Sequence, residues 1–135
     1  AASLLSTSTA LIEADRIQAA KSLVTTYKCH ALLKGPGSVV IAGTNVHICA
    51  HGGPAMATAG MGDVLSGICA GLLAPLSATG RLEQVAGAFA QAVALHSASA
   101  DLAAEEGSPR SVIATDVIEH IPRLLAGEET FVTNC

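Results

Sequence analysis

The feature that most constrains the fold is a glycine-rich stretch at residues 52–67, because the hydrophobic pattern differs on its two sides. Before it, short apolar runs at residues 29–33, 38–42 and 46–50 end at turns, which is typical of strands, and the first run is expected to be buried. After it, apolar residues recur over helix-sized segments. Strands and long helices within 135 residues indicate a single α/β domain in which helices pack on a sheet.

The strand-sized runs predict a small sheet. Gly43-Thr44-Asn45 separates the second run from the third and predicts a β-hairpin. Residues 12–27 precede the first run and carry apolar positions at helical spacing, with Arg16 expected on the solvent side. Because the strands are few for three or four helices, we expect an incomplete sheet with an unpaired edge.

The segments after the glycines predict three helices. Residues 63–73 are apolar nearly all round, so this helix is expected to be buried. Gly67 and Gly71 lie four residues apart on it, which suggests close approach by another backbone. Residues 82–105 predict a long alanine-rich helix in which His96 is a core histidine with its hydrogen bonds satisfied.

The last predicted helix runs to about residue 125, and Thr115 is expected to be its N-cap. Cys29, Cys49 and Cys69 are expected to be buried, since free cysteine is among the most buried residue types. The four cysteines form no C-x-x-C pair, so we expect reduced thiols and a cytoplasmic location.

Charge and hydropathy exclude some partners. The net charge is −4, from 7 basic and 11 acidic residues, and no basic block is present, which argues against a nucleic-acid surface. The most apolar run covers residues 64–76 and is interrupted by glycine and Pro75, whereas a membrane span needs about 20 apolar residues. No membrane partner is therefore expected.

The glycine-rich stretch has a chemistry of its own. Gly60 and Gly62 bracket a turn that opens a helix, where backbone N–H groups and the helix dipole form an anion site. Asp63 follows at the helix start and could act as a general base on a hydroxyl beside a bound phosphate. Residues 60–63 could also be only a tight turn followed by an acidic residue in the first turn of the helix, without any bound anion.

A second turn, residues 34–38, follows the first strand run. Its lysine and glycines could present an ammonium and several N–H groups to a phosphate, although an ordinary β-turn is equally compatible. His47 and His51 lack a third ligand nearby, so no metal site is expected there.

These two segments together resemble the C-terminal half of the NAD(P)H-hydrate dehydratases. That family carries a Lys-Gly-x-Gly-(Ser/Thr) turn, followed by Gly-Asn-x-Gly-Met-Ala-(Ser/Thr)-Gly-Gly-x-Gly-Asp-Val-Leu. The likeness extends over about residues 16–125, including Leu95-His96. Gly53 stands where the family usually has Asn, and Ala55 and Ala59 stand where it usually has Gly, so a positive φ at either alanine would be strained.

The resemblance implies a ribokinase-like, three-layer α/β/α fold of the carbohydrate kinase superfamily. Residues 1–135 would be its C-terminal, nucleotide-binding half, without the N-terminal half. The implied activity is that of a metabolite-repair lyase: ADP, or ATP in eukaryotic relatives, with Mg²⁺, drives dehydration of hydrated NADH and NADPH (NADHX and NADPHX). The substrate hydroxyl is phosphorylated and phosphate then leaves.

The resemblance also assigns the site. Asp63 would contact the hydrated nicotinamide and serve as the base. The residues that would contact ADP are Lys34, Gly35, Pro36, Gly37, Ser38, Gly53, Pro54, Ala55, Met56, Ala57, Thr58, Ala59, Gly60, Met61 and Gly62.

Partners and alternatives follow from the same resemblance. We expect a homo-oligomer or association with the N-terminal half, and weak nucleotide binding and little activity without that half. One alternative is a ribokinase-like kinase that acts on a vitamin precursor. Met56-Ala57-Thr58 favours the dehydratase over this kinase. The other is a non-catalytic nucleotide-binding or assembly module, which the glycine-to-alanine departures favour.

Overall fold

The computed structural model describes residues 1–127. Five helices and three strands follow one another, with two single turns of 3₁₀-helix at Pro54–Met56 and Leu82–Gln84. In chain order the elements are α1 (Thr9–Ala14), α2 (Arg16–Tyr27), β1 (Ala31–Leu33), β2 (Val39–Ala42), β3 (Asn45–Ile48), α3 (Met61–Ala78), α4 (Val85–Glu106) and α5 (Ala114–Ala126).

The three strands form an antiparallel sheet in the order β1-β2-β3. β2 and β3 are joined by the two residues Gly43 and Thr44, with Ala42 paired to Asn45, so the predicted hairpin is confirmed. Within residues 1–127, β1 pairs only with β2, which leaves its other edge open as expected.

Helices cover both faces of the sheet. All four residues of β2 are buried, and they alternate between the two faces. Val39 and Ile41 pack with Ala20 of α2, and Val40 packs with Leu65 of α3 and Val93 of α4. The result is three layers, α2, the sheet and the α3–α4 pair, which agrees with the predicted α/β/α layering.

The helix predicted at residues 12–27 is two helices. Asp15 has φ −148° and ψ 86°, and its carboxylate accepts a hydrogen bond from the Gln18 N–H at 2.8 Å, which caps α2. The predicted solvent position of Arg16 is wrong, because its side chain is only 14% exposed. It contacts the turn at residues 34–38 instead.

α3 is longer and less buried than expected. It continues through Pro75 to Ala78, and within it only Met61, Leu65 and Leu76 are buried. A β-carbon on Gly67 or Gly71 would meet no described atom within 4 Å, so the predicted backbone approach is absent here. The physical reason is that α3 packs against α4 and α5 on one side, while no element within residues 1–127 covers the other side.

The same exposure makes α3 compatible with a membrane span by length and composition. It has 18 residues, a mean hydropathy of 1.4 and only 17% of its residues buried. Such a helix alone is weak evidence, and α3 carries Asp63 in its first turn and packs Leu65 into the core. The expectation that the chain has no membrane partner stays a prediction.

Two smaller expectations also fail. The N-cap of α5 is Ile113 rather than Thr115, because the Asp116 carboxylate accepts the Ile113 N–H at 2.9 Å and closes the first turn. Cys29 is exposed, since it follows the C-cap of α2 and precedes β1, whereas Cys69 is half-buried and Cys49 is buried. Cys135 lies outside the described residues.

Candidate functional site

A cavity of about 610 Å³ lies between the turn at residues 34–38, the glycine-rich stretch and helices α3 and α4. This volume falls within the range of small-molecule sites. The lining includes nine of the predicted nucleotide contacts, namely Lys34, Gly35, Pro36, Ser38, Gly53, Pro54, Met56, Ala57 and Met61. Its other walls are Leu65, Val93, His96, Ser97, His51 and Gly52.

The two predicted segments meet at the start of α3. A β-carbon built on Gly62 would lie 2.7 Å from Lys34 Nζ, so the ammonium packs against the bare backbone of Gly62. The lysine belongs to the turn after β1, and the glycine to the first turn of α3. The fold therefore brings together two parts of the chain that sequence analysis could only consider separately.

The N-terminus of α3 has the geometry of an anion site. Its N-cap, Gly60, has φ +84°, a left-handed conformation that favours glycine, and no side chain caps the helix. The first hydrogen bonds run from the Asp63 and Val64 N–H groups to the Gly60 carbonyl, both at 3.0 Å. The N–H groups of Met61 and Gly62 precede those bonds, and the helix dipole and Lys34 add positive charge beside them.

Asp63 is the third residue of α3 and is exposed. It follows Gly62, so its carboxylate belongs to the same helix turn as the Lys34 contact. Asp63 is not among the residues that line the 610 Å³ cavity. It therefore stands beside the anion site rather than inside the apolar space.

The remaining predicted contacts lie around this centre. Ala55 and Thr58 line a neighbouring cavity of about 600 Å³, together with Ala57 and residues 109–113. Gly37, Ala59, Gly60 and Gly62 line neither cavity. Gly60 instead packs against α5, where a β-carbon on it would lie 3.0 Å from Ala114 Cβ.

Asp101 is a supporting residue that sequence analysis missed. From α4 its carboxylate accepts the Gly52 N–H at 2.9 Å and lies 3.5 Å from His51 Nδ1. Gly52 has φ +94°, and a β-carbon there would lie 2.6 Å from Met56 Sδ. The start of the glycine-rich stretch is thus fixed to α4 by a contact across 49 residues, which no local pattern could reveal.

The sequence profile of the NAD(P)H-hydrate dehydratases matches residues 1–123. The chain belongs to this family. It is 41% identical over 122 residues to the bifunctional NAD(P)H-hydrate repair enzyme of Coxiella burnetii, covering 90% of this chain and 24% of that protein. The Escherichia coli repair enzyme is 42% identical over 131 residues, with 96% and 24% covered. The chain therefore spans about a quarter of the length of the curated relatives it matches.

A solved dehydratase shares the fold. The Bacillus subtilis ADP/ATP-dependent NAD(P)H-hydrate dehydratase, co-crystallised with ATP and Mg²⁺, superimposes with a TM-score of 0.75 at 26% identity. The match covers 87% of this chain and 41% of that one. The predicted partial ribokinase-like fold is confirmed by this likeness.

The three departures from the dehydratase pattern leave the backbone unstrained. Among the described non-glycine residues only Ser6 and Lys28 have a positive φ, so neither Ala55 nor Ala59 adopts the conformation that would require glycine. Gly53 has φ −131°, and a β-carbon there would meet nothing within 4 Å. Larger residues, including the usual asparagine of the dehydratases, therefore fit at position 53.

His96 is buried, as predicted, but its hydrogen bonding is incomplete. It is 3% exposed, and its Nε2 has no hydrogen-bond partner among residues 1–127. Burial lowers the pKa of His96, the nearby Lys34 charge lowers it further, and a hydrogen bond with the Met61 backbone opposes both. A neutral imidazole with spare hydrogen-bonding capacity therefore borders the cavity.

The described residues contain no group of three His, Cys, Asp or Glu side chains that could hold a metal ion. Mg²⁺ commonly binds through substrate phosphates, waters and one or two carboxylates rather than through a protein cage. The described residues offer no such cage, which fits that mode, and phosphate oxygens and waters would supply the Mg²⁺ ligands.

Proposed function

We propose that this chain is the nucleotide-binding part of an ADP- or ATP-dependent dehydratase that converts hydrated NADH and NADPH back to NADH and NADPH. One observation carries the proposal: the Lys34 ammonium packs against Gly62 at an N-terminus of α3 that no side chain caps. Asp63, the only carboxylate in the first turn of α3, follows directly.

The phosphates of the nucleotide would lie at the start of α3. There the Lys34 ammonium lies against Gly62 in the helix turn that also carries the N–H groups of Met61 and Gly62, and cationic and N–H donors are suited to phosphate oxygens. The Lys34 turn would enclose the rest of the nucleotide together with Gly53, Pro54, Met56 and Ala57, since these parts of the chain line the adjoining cavity.

The bound nucleotide, with Mg²⁺, would transfer its terminal phosphoryl group to the substrate hydroxyl and leave as AMP, or as ADP when ATP is the donor; inorganic phosphate and a proton from the adjacent carbon would then leave as the double bond forms. Asp63 would accept the hydroxyl proton as that oxygen attacks, which is the work of a positioned general base. Lys34 and the N–H groups would stabilise the negative charge on the transferred group. The apolar walls, Met61, Leu65 and Val93, would keep water from the reacting atoms.

The whole domain would need more chain than residues 1–135 provide. The open edge of β1 and the uncovered side of α3 support association with an N-terminal half or with further copies of the chain. We propose that nucleotide binding by residues 1–135 alone is weak for this reason. A cytoplasmic location remains part of the proposal and follows from the cysteine spacing.

The test is product analysis with the protein encoded by the complete reading frame that contains this chain. Hydrated NADH, ADP and Mg²⁺ should yield NADH, AMP and inorganic phosphate, and the yield should depend on ADP. Accumulation of a stable phosphorylated alcohol would instead indicate a kinase. ADP binding without turnover, unchanged by Asp63→Asn, would indicate a binding module.

A further inference from the structure

We propose that Arg16 is the positioning residue of the anion site, because it holds the turn that places the Lys34 ammonium on Gly62. The consequence for nucleotide binding rests on the proposed function. The positioning itself rests only on contacts within the chain.

The guanidinium of Arg16 is bound to both sides of the lysine turn. Nη1 donates to the Pro36 carbonyl and Nη2 to the Leu33 carbonyl, each at 3.1 Å. Lys34 and Gly35 lie between these two acceptors. A planar guanidinium can make two such bonds at once in a fixed geometry, which a single ammonium cannot do. The arginine therefore fixes the chain immediately before and after Lys34.

Gly35 is shaped to receive this side chain. It has φ +147°, and a β-carbon on it would lie 2.4 Å from Arg16 Nη1 and 2.8 Å from Nη2. Any side chain at position 35 would displace the guanidinium. The glycine of the lysine turn thus serves the contact with Arg16, independently of any phosphate.

Arg16 is itself held on a rigid base. It is the first residue of α2, which Asp15 caps and which packs on the sheet through Ala20. Its side chain is 14% exposed, and the hydrogen bond to Leu33 is partly buried whereas the bond to Pro36 is exposed, so the Leu33 bond is the better shielded from water. The Glu13 carboxylate is 3.7 Å from Nη1 but 56% exposed, so this ion pair contributes little.

These contacts connect α2 to α3 in two steps. Arg16 fixes the turn at residues 34–38, and this turn fixes Lys34 against Gly62. A preordered lysine loses less conformational freedom when an anion binds. If Arg16 acts in this way, its removal weakens anion binding only while Lys34 is present. A purely structural arginine would show no such dependence.

The test is a double-mutant cycle on ADP affinity in the protein from the complete reading frame. In the Lys34 background, Arg16→Gln should weaken ADP binding about tenfold, equivalent to about 1.4 kcal/mol. In the Lys34→Met background the same change should alter the dissociation constant less than about twofold. Arg16→Lys should recover part of the loss. Lys21→Gln, which removes a charge from an exposed position of α2, is the control and should have no effect.

A second readout needs no nucleotide. The ¹⁵N order parameters of the Gly35 and Gly37 amides should fall in Arg16→Gln and stay at the wild-type values in Lys21→Gln. If the wild type binds no ADP, the proposed function fails, while the order parameters still decide the positioning role. Unchanged order parameters in Arg16→Gln, or equal losses of affinity with and without Lys34, would overturn the inference.

Discussion

Lys34 Nζ lies so close to Gly62 that a β-carbon at position 62 would be only 2.7 Å away. The contact joins the turn after β1 to the first turn of α3. It explains why glycine occupies a helical position, where it costs up to about 1 kcal/mol relative to alanine. The missing side chain leaves room for the ammonium beside the helix N-terminus.

Gly62→Ala should therefore displace the Lys34 ammonium and weaken ADP binding about tenfold, or about 1.4 kcal/mol. Because the displaced group is the flexible end of a side chain, the free energy of unfolding should change by less than about 1 kcal/mol. Titration calorimetry and urea denaturation measure the two effects. Gly71→Ala on the same helix faces open space and should stabilise the protein without weakening ADP binding. Equal ADP affinities for Gly62→Ala and wild type would contradict the role of the contact.

Gly60→Ala should destabilise the fold itself. The backbone at position 60 has φ +84°, and the added methyl would lie 3.0 Å from Ala114 Cβ, so we expect a loss of about 1–3 kcal/mol. Urea denaturation gives the value. Gly53→Ala and Gly53→Asn are the controls, because position 53 has φ −131° and open space around it. Losses of similar size at both positions would show that the start of α3 is not specifically strained.

His120 should stabilise the protein more as the pH falls. Its ring contacts the Asp116 carbonyl at 2.6 Å and the Glu106 carboxylate at 3.1 Å, and these contacts raise the pKa of His120. Arg123 and His120 together lower the pKa of Glu106. The histidine's contribution is complete below its unfolded pKa of about 6.5 and is lost as the pH rises through the higher folded value.

The difference in unfolding free energy between wild type and His120→Gln should therefore grow as the pH is lowered from about 8 to about 5. Urea denaturation across that range measures it. Glu106→Gln should reduce the difference without abolishing it, because the contact with the Asp116 carbonyl remains. Glu105→Gln, which removes the neighbouring charge, is the matched control and should leave it in place. A difference that shrinks toward acid would contradict the assignment.

His96 should show the opposite pH dependence. Burial lowers its pKa in the folded state, so the contribution of His96 is present above about pH 6.5 and is lost as the pH falls. The difference in unfolding free energy between wild type and His96→Gln should grow as the pH rises. The two histidines can thus be distinguished by whether the difference in unfolding free energy grows or shrinks as the pH rises. If the difference for His96 shrank as the pH rose, as expected for His120, the His96 imidazole would not be kept neutral.

The parts of the fold that local patterns control could be predicted from the sequence. The hairpin at Gly43-Thr44 follows from turn chemistry between two apolar runs, and the three layers follow from the apolar run of β2, whose residues are buried on both faces. The Lys34 turn and the start of α3 could likewise be predicted, because glycines interrupt the apolar pattern at both places. Their mutual contact was not, because nothing in either segment indicates its partner.

The failures have a common physical origin in long-range packing. Arg16 looks like a solvent residue by helical spacing, yet carbonyls of a turn 17 to 20 residues away bind it. The apolar composition of α3 predicts burial, but burial depends on which elements cover the helix. Asp101 and His96, whose Nε2 has no hydrogen-bond partner among residues 1–127, are positioned by α4. No local sequence pattern specifies how α4 packs against the cavity.

The most direct test of Asp63 as the general base of a dehydratase is the turnover of hydrated NADH by wild type and Asp63→Asn, each produced from the complete reading frame. With ADP and Mg²⁺, wild type should form NADH, and the variant should bind ADP with nearly the wild-type affinity while kcat falls about 10²–10⁴-fold. NADH absorbance follows the reaction, and calorimetry follows binding. An Asp63→Asn protein that turns over at the wild-type rate would contradict the central claim, as would a folded wild-type protein that produces no NADH.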